Sequence, residues 1–98
     1  MINKKDFRTC VMAVIKNNGG NCSICNQGTD IYGAMAFANM REIKTSWGKK
    51  ALMLFIPKDI TFTIPYLSIV QYSTHDKQKH IAIELNDGHL VSLREIYK

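Results

Sequence analysis

The chain lacks the features that mark membrane-spanning and secreted proteins. No apolar run approaches the ~18 consecutive residues that a membrane-spanning helix needs, and the first residues do not form the apolar core of a signal peptide. The chain has three cysteines, an odd number, whereas a secreted disulfide scaffold usually has an even set. These absences predict a protein of the reducing cytoplasm with no membrane partner.

Signatures of catalysis and of cofactor binding are missing as well. No glycine-rich phosphate loop follows a predicted strand, and Ser68, Ser73 and Ser92 lie in no nucleophile-elbow sequence. The acidic residues are scattered over predicted turns and strand ends, without an obvious pair for general acid–base work. The sequence therefore predicts a protein that is not an enzyme and needs no cofactor.

What the chain does have is the composition of one globular domain over residues 1–98. Hydrophobic residues make up 46% of its 98 residues and charged residues 21%, which is typical of a folded protein rather than a disordered one. A chain of this length buries roughly 65% of its unfolded surface, enough for a single core. Its formal net charge of +5 suits an acidic protein, nucleic acid or an anionic surface and requires none of them.

The N-terminal third predicts two helices. Asn3 is a suitable N-cap for a helix over residues 4–18, and Asp6 at the third helical position forms a variant of the capping box. Its apolar face comprises Phe7, Cys10, Val11, Val14 and Ile15, and Gly19 and Gly20 can end it. Residues 21–30 are predicted as a polar loop and residues 31–44 as the second helix. Gly33 weakens that helix by about 1 kcal/mol relative to alanine, and a strand in part of the segment remains open.

The C-terminal half predicts short strands over residues 51–56, 60–64, 67–72, 81–85 and 89–93, ending in a β-hairpin. A three-residue loop with Gly88 in the left-handed region pairs Ile83 with Val91 and Ile81 with Leu93, which places four aliphatic residues on one face. The residues expected to point outward are His80, Glu84 and Leu90. The sheet aromatics expected to pack in the core are Phe55, Phe62, Tyr66 and Tyr72.

Together these elements predict an α+β fold. Two N-terminal helices pack on one face of a four- to five-stranded antiparallel meander that ends in the hairpin. An exposed edge of such a sheet can pair with a partner strand or with a second copy, so a homodimer is compatible with this fold.

Basic residues gather around one tryptophan in the middle of the chain and again near residue 78. The predicted partner-binding residues are Arg41, Lys44, Trp47, Lys49, Lys50, Lys77 and Lys79. Cations beside a tryptophan suit an acidic protein surface, and they also suit the phosphates and bases of nucleic acid. A solvated rim, with the tryptophan folded back onto the core, is the third interpretation.

The sequence therefore predicts a small intracellular protein that acts by protein–protein interaction. Free-standing proteins of this size without catalytic motifs commonly act as inhibitors, immunity proteins or adaptors, including those that phages and other mobile elements carry. The alternative is a nucleic-acid-binding module that uses residues 41–50.

A second alternative is a zinc-binding domain. Cys22 and Cys25 are two thiols at the spacing of a zinc knuckle, and His75 and His80 are the histidines with a compatible spacing for a composite site. A redox pair is another use of this spacing, although such a pair normally follows a strand and opens a helix. Two loop cysteines without a special role remain the simplest interpretation, with Cys10 as a small core residue.

Overall fold

A computed structural model describes residues 2–27, 35–40, 42–56 and 60–96, with the backbone alone at 35–40, 56 and 60. The helix α1 spans Lys4–Asn17, and a short 3₁₀ turn spans Tyr66–Ser68. The strands are β1 (Cys22–Gln27), β2 (Met35–Met40), β3 (Lys44–Trp47), β4 (Ala51–Ile56), β5 (Ile60–Pro65), β6 (Ile69–His75), β7 (His80–Leu85) and β8 (Leu90–Arg94).

The strands form two antiparallel sheets rather than a single meander. Among the described residues, the large sheet has five strands in the order β2-β1-β8-β7-β6, and the small sheet has three in the order β3-β4-β5. The chain is thus α+β with an N-terminal helix and antiparallel sheets, which confirms the predicted fold class at that level. Within each sheet, strands that follow one another in sequence pair. In addition, β8 inserts between β7 and β1, a long-range pairing that no local pattern indicates.

Both ends of α1 follow the predicted capping chemistry. The Asn3 side-chain oxygen accepts a hydrogen bond of 3.0 Å from the backbone N–H of Asp6. At the other end, the N–H of Gly19 donates to the carbonyl of Lys16 and the N–H of Gly20 to that of Ile15, which is the Schellman arrangement. Gly19 has φ +68°, which glycine adopts without steric cost. No helix in the described ranges has the length and apolar character to cross a bilayer.

The prediction of a second helix over residues 31–44 is wrong. Residues 35–40 form β2, which pairs with β1 from Cys22 opposite Met40 to Gln27 opposite Met35, and Lys44 begins β3. Residues 21–30 were expected to be a loop, yet 22–27 form the partner strand. Larger residues alternate with alanine over 35–38, a period of two that competes with the helical one, and pairing with β1 decides between them. Residues 28–34 and 41, which also belong to these two predicted segments, lie outside the described part.

One core joins α1 to both sheets. The ring of Phe7 is fully buried, and its centroid lies 5.9 Å from that of Trp47 on β3 and 5.1 Å from that of Tyr72 on β6. The Tyr72 hydroxyl also donates a hydrogen bond to the Asp6 carboxylate of α1. The residues with no exposed surface in this core are Phe7, Val11, Val14, Cys22, Leu52, Leu54, Ile64, Ile81, Ile83, Val91 and Leu93.

The C-terminal hairpin has the predicted register. Ile83 lies opposite Val91 and Ile81 opposite Leu93, and Gly88 has φ +88°. The N–H of Leu85 donates to the carbonyl of His89 at 2.8 Å, which closes a three-residue loop. The residues expected to point outward, His80, Glu84 and Leu90, are half-buried or exposed, whereas all four paired aliphatics are buried. Among the sheet aromatics, Tyr66 is buried and Phe62 and Tyr72 pack against the core, but Phe55 is exposed.

Candidate partner-binding groove

An open groove of about 460 Å³ lies where the N-terminus of α1, the β3–β4 turn and the 3₁₀ turn meet. The residues that line it are Ile2, Lys4, Lys49, Lys50, Pro65, Tyr66 and Leu67. Its members come from three distant parts of the sequence, so the groove exists only in the folded chain. Four of the seven lining side chains are apolar or aromatic and three are lysines.

Tyr66 anchors one wall of the groove to the β3–β4 turn. Its hydroxyl donates to the carbonyl of Gly48 at 2.9 Å, and its backbone N–H donates to the carbonyl of Lys50 at 2.9 Å. Burial raises the pKa of the Tyr66 hydroxyl, so this group remains a protonated donor at neutral pH. These two bonds hold the backbone that carries Lys49 and Lys50.

Lys4 ties the N-terminus of α1 to the same turn. Its ammonium donates to the carbonyl of Gly48 at 2.9 Å and lies 4.8 Å from the centroid of the Tyr66 ring. The Gly48 carbonyl thus accepts hydrogen bonds from two side chains, and the backbone N–H of Gly48 donates to the carbonyl of Ala51 at 3.0 Å. The groove is therefore built before any partner arrives, which lowers the entropy cost of binding.

The groove combines an exposed apolar side chain with uncompensated positive charge. Leu67 is 76% exposed, more than any other large hydrophobic side chain that the structure describes. Lys49 and Lys50 are exposed beside it. Within the part of the chain that the structure describes, no lysine or arginine forms an ion pair with a carboxylate. An apolar surface flanked by unpaired lysines is complementary to an apolar side chain beside carboxylates.

Trp47 lies outside this groove. Its ring packs edge-on against Phe7, the guanidinium of Arg8 lies 5.6 Å from the ring centroid, and the indole N–H donates to Thr45 Oγ1 at 3.2 Å. The side chain is half-buried and packs against the core. Trp47 is therefore placed at the border of the core, with one face covered by a cation of this chain.

The other predicted basic residues fall in separate places. Lys44 is exposed at the start of β3, and Arg41 lies outside the described residues. Lys77 and Lys79 are exposed in the turn between β6 and β7, at the end of β6 that is distant in sequence from the groove.

That turn is held in an unusual backbone conformation. Three successive residues, Asp76, Lys77 and Gln78, have φ values of +53°, +56° and +65°, a region that non-glycine residues rarely adopt. The C-terminal end of α1 fixes it: the Asn17 side-chain amide donates to the carbonyl of Gln78 at 3.0 Å, and that of Asn18 to the carbonyl of Lys79 at 2.9 Å. Both lysines thus project from a turn with a defined shape.

The structure does not bring the four candidate zinc ligands together. Cys22 and Cys25 lie three residues apart on β1, and because side chains alternate along a strand, they point to opposite faces of the large sheet. Cys22 is fully buried in the core, and burial raises the pKa of its thiol, which disfavours the thiolate that zinc requires. His75 and His80 pair across β6 and β7, with ring centroids 5.4 Å apart. Among the described residues, no three His, Cys, Asp or Glu side chains are grouped to hold a metal ion.

Sequence reasoning identified Lys49 and Lys50 but missed the apolar part of the groove. The sequence predicts Leu67 within a strand and Tyr66 in the core, whereas Leu67 lies in the 3₁₀ turn and only Tyr66 is buried. A signal was present: Pro65 ends β5, and the chain turns directly after it. A leucine in such a turn faces solvent more readily than one within a strand. Nothing local relates this turn to Ile2 or Lys4.

The comparisons with known proteins identify no relative. No protein-family model, no curated protein and no solved structure matches this chain.

Proposed function

We propose that this protein is a non-catalytic binding protein that acts by protein–protein interaction through the groove. The partner offers an acidic surface with at least one apolar side chain that enters beside Leu67. The observation that carries this proposal is the apolar groove lined by Lys4, Lys49 and Lys50, with Leu67 76% exposed. An exposed apolar groove with a charged rim is typical of protein–protein interaction sites.

The apolar contact supplies most of the affinity in this proposal. Burying a leucine-sized side chain contributes about 1.5–3 kcal/mol, whereas an exposed ion pair contributes about 0.2–1 kcal/mol. The partner's carboxylates facing Lys49 and Lys50 mainly increase the association rate and select the orientation. Binding should therefore weaken only moderately as salt increases.

Nucleic acid remains the alternative partner for the same lysines. Sequence-tolerant binding of single strands uses exposed aromatic rings on which bases stack. Here Trp47 is covered by Arg8 and Phe7, Tyr66 is buried under Lys4, and the exposed side chain is the aliphatic Leu67. This arrangement favours a protein partner over a nucleic acid.

We also propose that this protein acts in the cytoplasm, as an inhibitor, an immunity protein or an adaptor. The three thiols, Cys10, Cys22 and Cys25, are free, which fits the reducing cytoplasm. A small protein that has a preformed groove and no catalytic group fits an inhibitor, an immunity protein or an adaptor, including those that mobile elements carry.

The test is affinity capture from lysate with nuclease present, using the unmodified chain and variants in parallel. Leu67→Glu and the pair Lys49→Glu with Lys50→Glu change the groove, and Thr63→Glu, on the exposed face of β5 outside the groove, is the matched control. We expect one protein partner that survives nuclease, binds both groove variants at least tenfold more weakly, and binds the control normally.

Two results would contradict the proposal. The first is recovery of nucleic acid alone, lost on nuclease treatment, which would favour the nucleic-acid alternative. The second is a protein partner whose binding ignores Leu67→Glu while thermal unfolding shows that this variant is folded. Thermal unfolding of every variant separates loss of the interface from loss of the fold.

A further inference from the structure

The strand β6 forms one edge of the large sheet and pairs only with β7 among the described strands. Its seven residues, Ile69–His75, include no lysine, arginine, carboxylate or proline. Natural edge strands usually carry such residues, because they prevent unintended pairing with other chains. One bulge interrupts the register between Ile69 and Gln71. The remainder of β6 is a regular edge without the charged residues or proline that prevent pairing.

The hydrogen-bond pattern of the hairpin shows which groups face that edge. The N–H of Leu85 donates to His89 of the β7–β8 connection, and bonded pairs alternate along antiparallel strands. Ile83 and Ile81 therefore bond to β8, while Glu84 and Ala82 bond to Gln71 and Ser73 of β6, their register partners. The backbone groups of Tyr72 and Thr74 consequently point away from β7, toward the open side.

Net positive charge lies at both ends of this edge. Lys49 and Lys50 line the groove beside Leu67, two residues before β6 begins. Lys77 and Lys79 occupy the turn that follows β6, where Asp76 is the one carboxylate. Seven residues of strand extend over about 23 Å. Val70, 56% exposed, adds apolar surface at the groove end.

We propose that the partner segment is an extended acidic peptide that adds a strand to the free edge of β6. The peptide backbone forms hydrogen bonds with Tyr72 and Thr74, and an apolar side chain of the peptide enters the groove beside Leu67. Acidic side chains near both ends of the peptide contact the lysines at the two ends of β6. This inference rests on the proposed function, because it uses the same groove, and it adds the partner's conformation and length, about eight residues.

Charge favours an acidic peptide over a second copy of this chain as the occupant. Antiparallel pairing of two copies of β6 would bring the groove lysines of one copy near Lys77 and Lys79 of the other, and each copy has a formal net charge of +5. An acidic segment meets attraction at both ends, where a second copy meets repulsion.

The test uses a fluorescent synthetic peptide of about twelve residues, with glutamates at both ends, alternating valine and threonine between them, and one leucine near an end. Two further versions carry N-methyl groups on alternate central residues, one version for each hydrogen-bonding edge of the peptide strand. Titration with the full chain, followed by anisotropy, should show binding of the parent peptide. One N-methylated version should bind at least tenfold more weakly than the other, since only one edge of the peptide strand donates its N–H groups to β6.

A pair of protein variants provides the matching test from the other side. Thr74→Pro removes an N–H that points toward the peptide, whereas Thr74→Val keeps it. We expect at least tenfold weaker binding for the proline variant and little change for the valine variant. If the proline variant is unfolded, the two N-methylated peptides decide the question, because they leave the protein unaltered.

The outcomes separate this inference from the proposed function. Equal binding of both N-methylated versions, or no binding of the parent peptide, overturns strand addition, while a lysate partner that depends on Leu67 would still support the groove. Sedimentation showing a dimer that Thr74→Pro dissociates would assign the edge to a second copy and overturn the inference. Stronger binding of a single-stranded oligonucleotide than of the peptide, with steep salt dependence, would overturn both.

Discussion

Replacement of Gln78 by glycine should make the protein more stable than replacement by alanine. Gln78 has φ +65°, and the left-handed region costs a non-glycine residue roughly 1–2 kcal/mol. Glycine avoids that cost but adds about 0.4–1 kcal/mol of backbone entropy to the unfolded state. The net advantage of glycine is therefore about 0.5–1 kcal/mol. For a domain of this size, this difference corresponds to a melting temperature about 2–8 °C higher than that of the alanine variant.

The comparison isolates the backbone, because the contact that fixes Gln78 is its carbonyl, which accepts from the Asn17 amide in every variant. Urea and thermal unfolding of Gln78→Gly and Gln78→Ala give the difference directly. The same pair of substitutions at Lys16, an exposed position in α1, is the control, and there alanine should be favoured by about 1 kcal/mol. If alanine is also favoured at residue 78, then Gln78 does not adopt the left-handed conformation, and the positions given to Lys77 and Lys79 in this turn are wrong as well.

Three further predictions concern the core, a cap and pH. Phe7→Ala should lower the free energy of unfolding by about 3–5 kcal/mol, because Phe7 packs on both sheets; a loss below 1 kcal/mol in urea titrations would contradict that packing. Asn3→Ala should cost about 0.5–2 kcal/mol, measured in the same way, with Asn3→Asp retaining most of the stability. Burial, and then the nearby charges of Arg94 and His75, lower the pKa of His80 in the folded protein below its ordinary value of 6.5. As the pH drops below 6.5, the unfolded state therefore binds a proton more readily than the folded state, and the free energy of unfolding falls. The His80→Gln variant should show a flatter fall of melting temperature between pH 7 and pH 5 than the unmodified chain, and an equal slope would refute the assignment.

The elements that sequence reasoning predicted well depend on neighbouring residues. The helix α1 is specified by its cap at Asn3, its apolar spacing and the glycines that end it, and all of these act within one or two turns. The C-terminal hairpin is specified by Gly88 and by the alternation of aliphatic residues on either side of it. In both cases the interactions that decide the structure lie within about twelve residues.

The segment around β1 and β2 shows where this reasoning fails. Residues 22–27 have the polar composition of a loop, and residues 31–44 have an apolar spacing compatible with a helix. In the fold, β1 pairs with β2 on one side and with β8 on the other, and the partner β8 lies more than sixty residues away in sequence. The backbone bonds of those two pairings outweigh local propensity, and they also turn Cys22 and Cys25 to opposite faces.

The candidate site was predicted only in part for the same reason. The charge of Lys49 and Lys50 is visible in the sequence, because charged residues cluster there without neighbouring acids. Their association with Ile2 and Leu67 depends on hydrogen bonds from Lys4 and Tyr66 to the backbone of residues 48–50. Trp47 is compatible in sequence with a binding anchor and with a core residue, and its contact with Phe7 decides between them.

The sequence by itself determined the α+β class, the helix α1, the register of the last hairpin and the positive charge, since each follows from local spacing, capping or composition. Only the tertiary structure decided that the strands divide into two sheets, that β6 has an open edge and that a groove forms beside Leu67. Those features arise from contacts between residues far apart in the chain. Their energies depend on which surfaces meet, and no local pattern in the sequence contains that information.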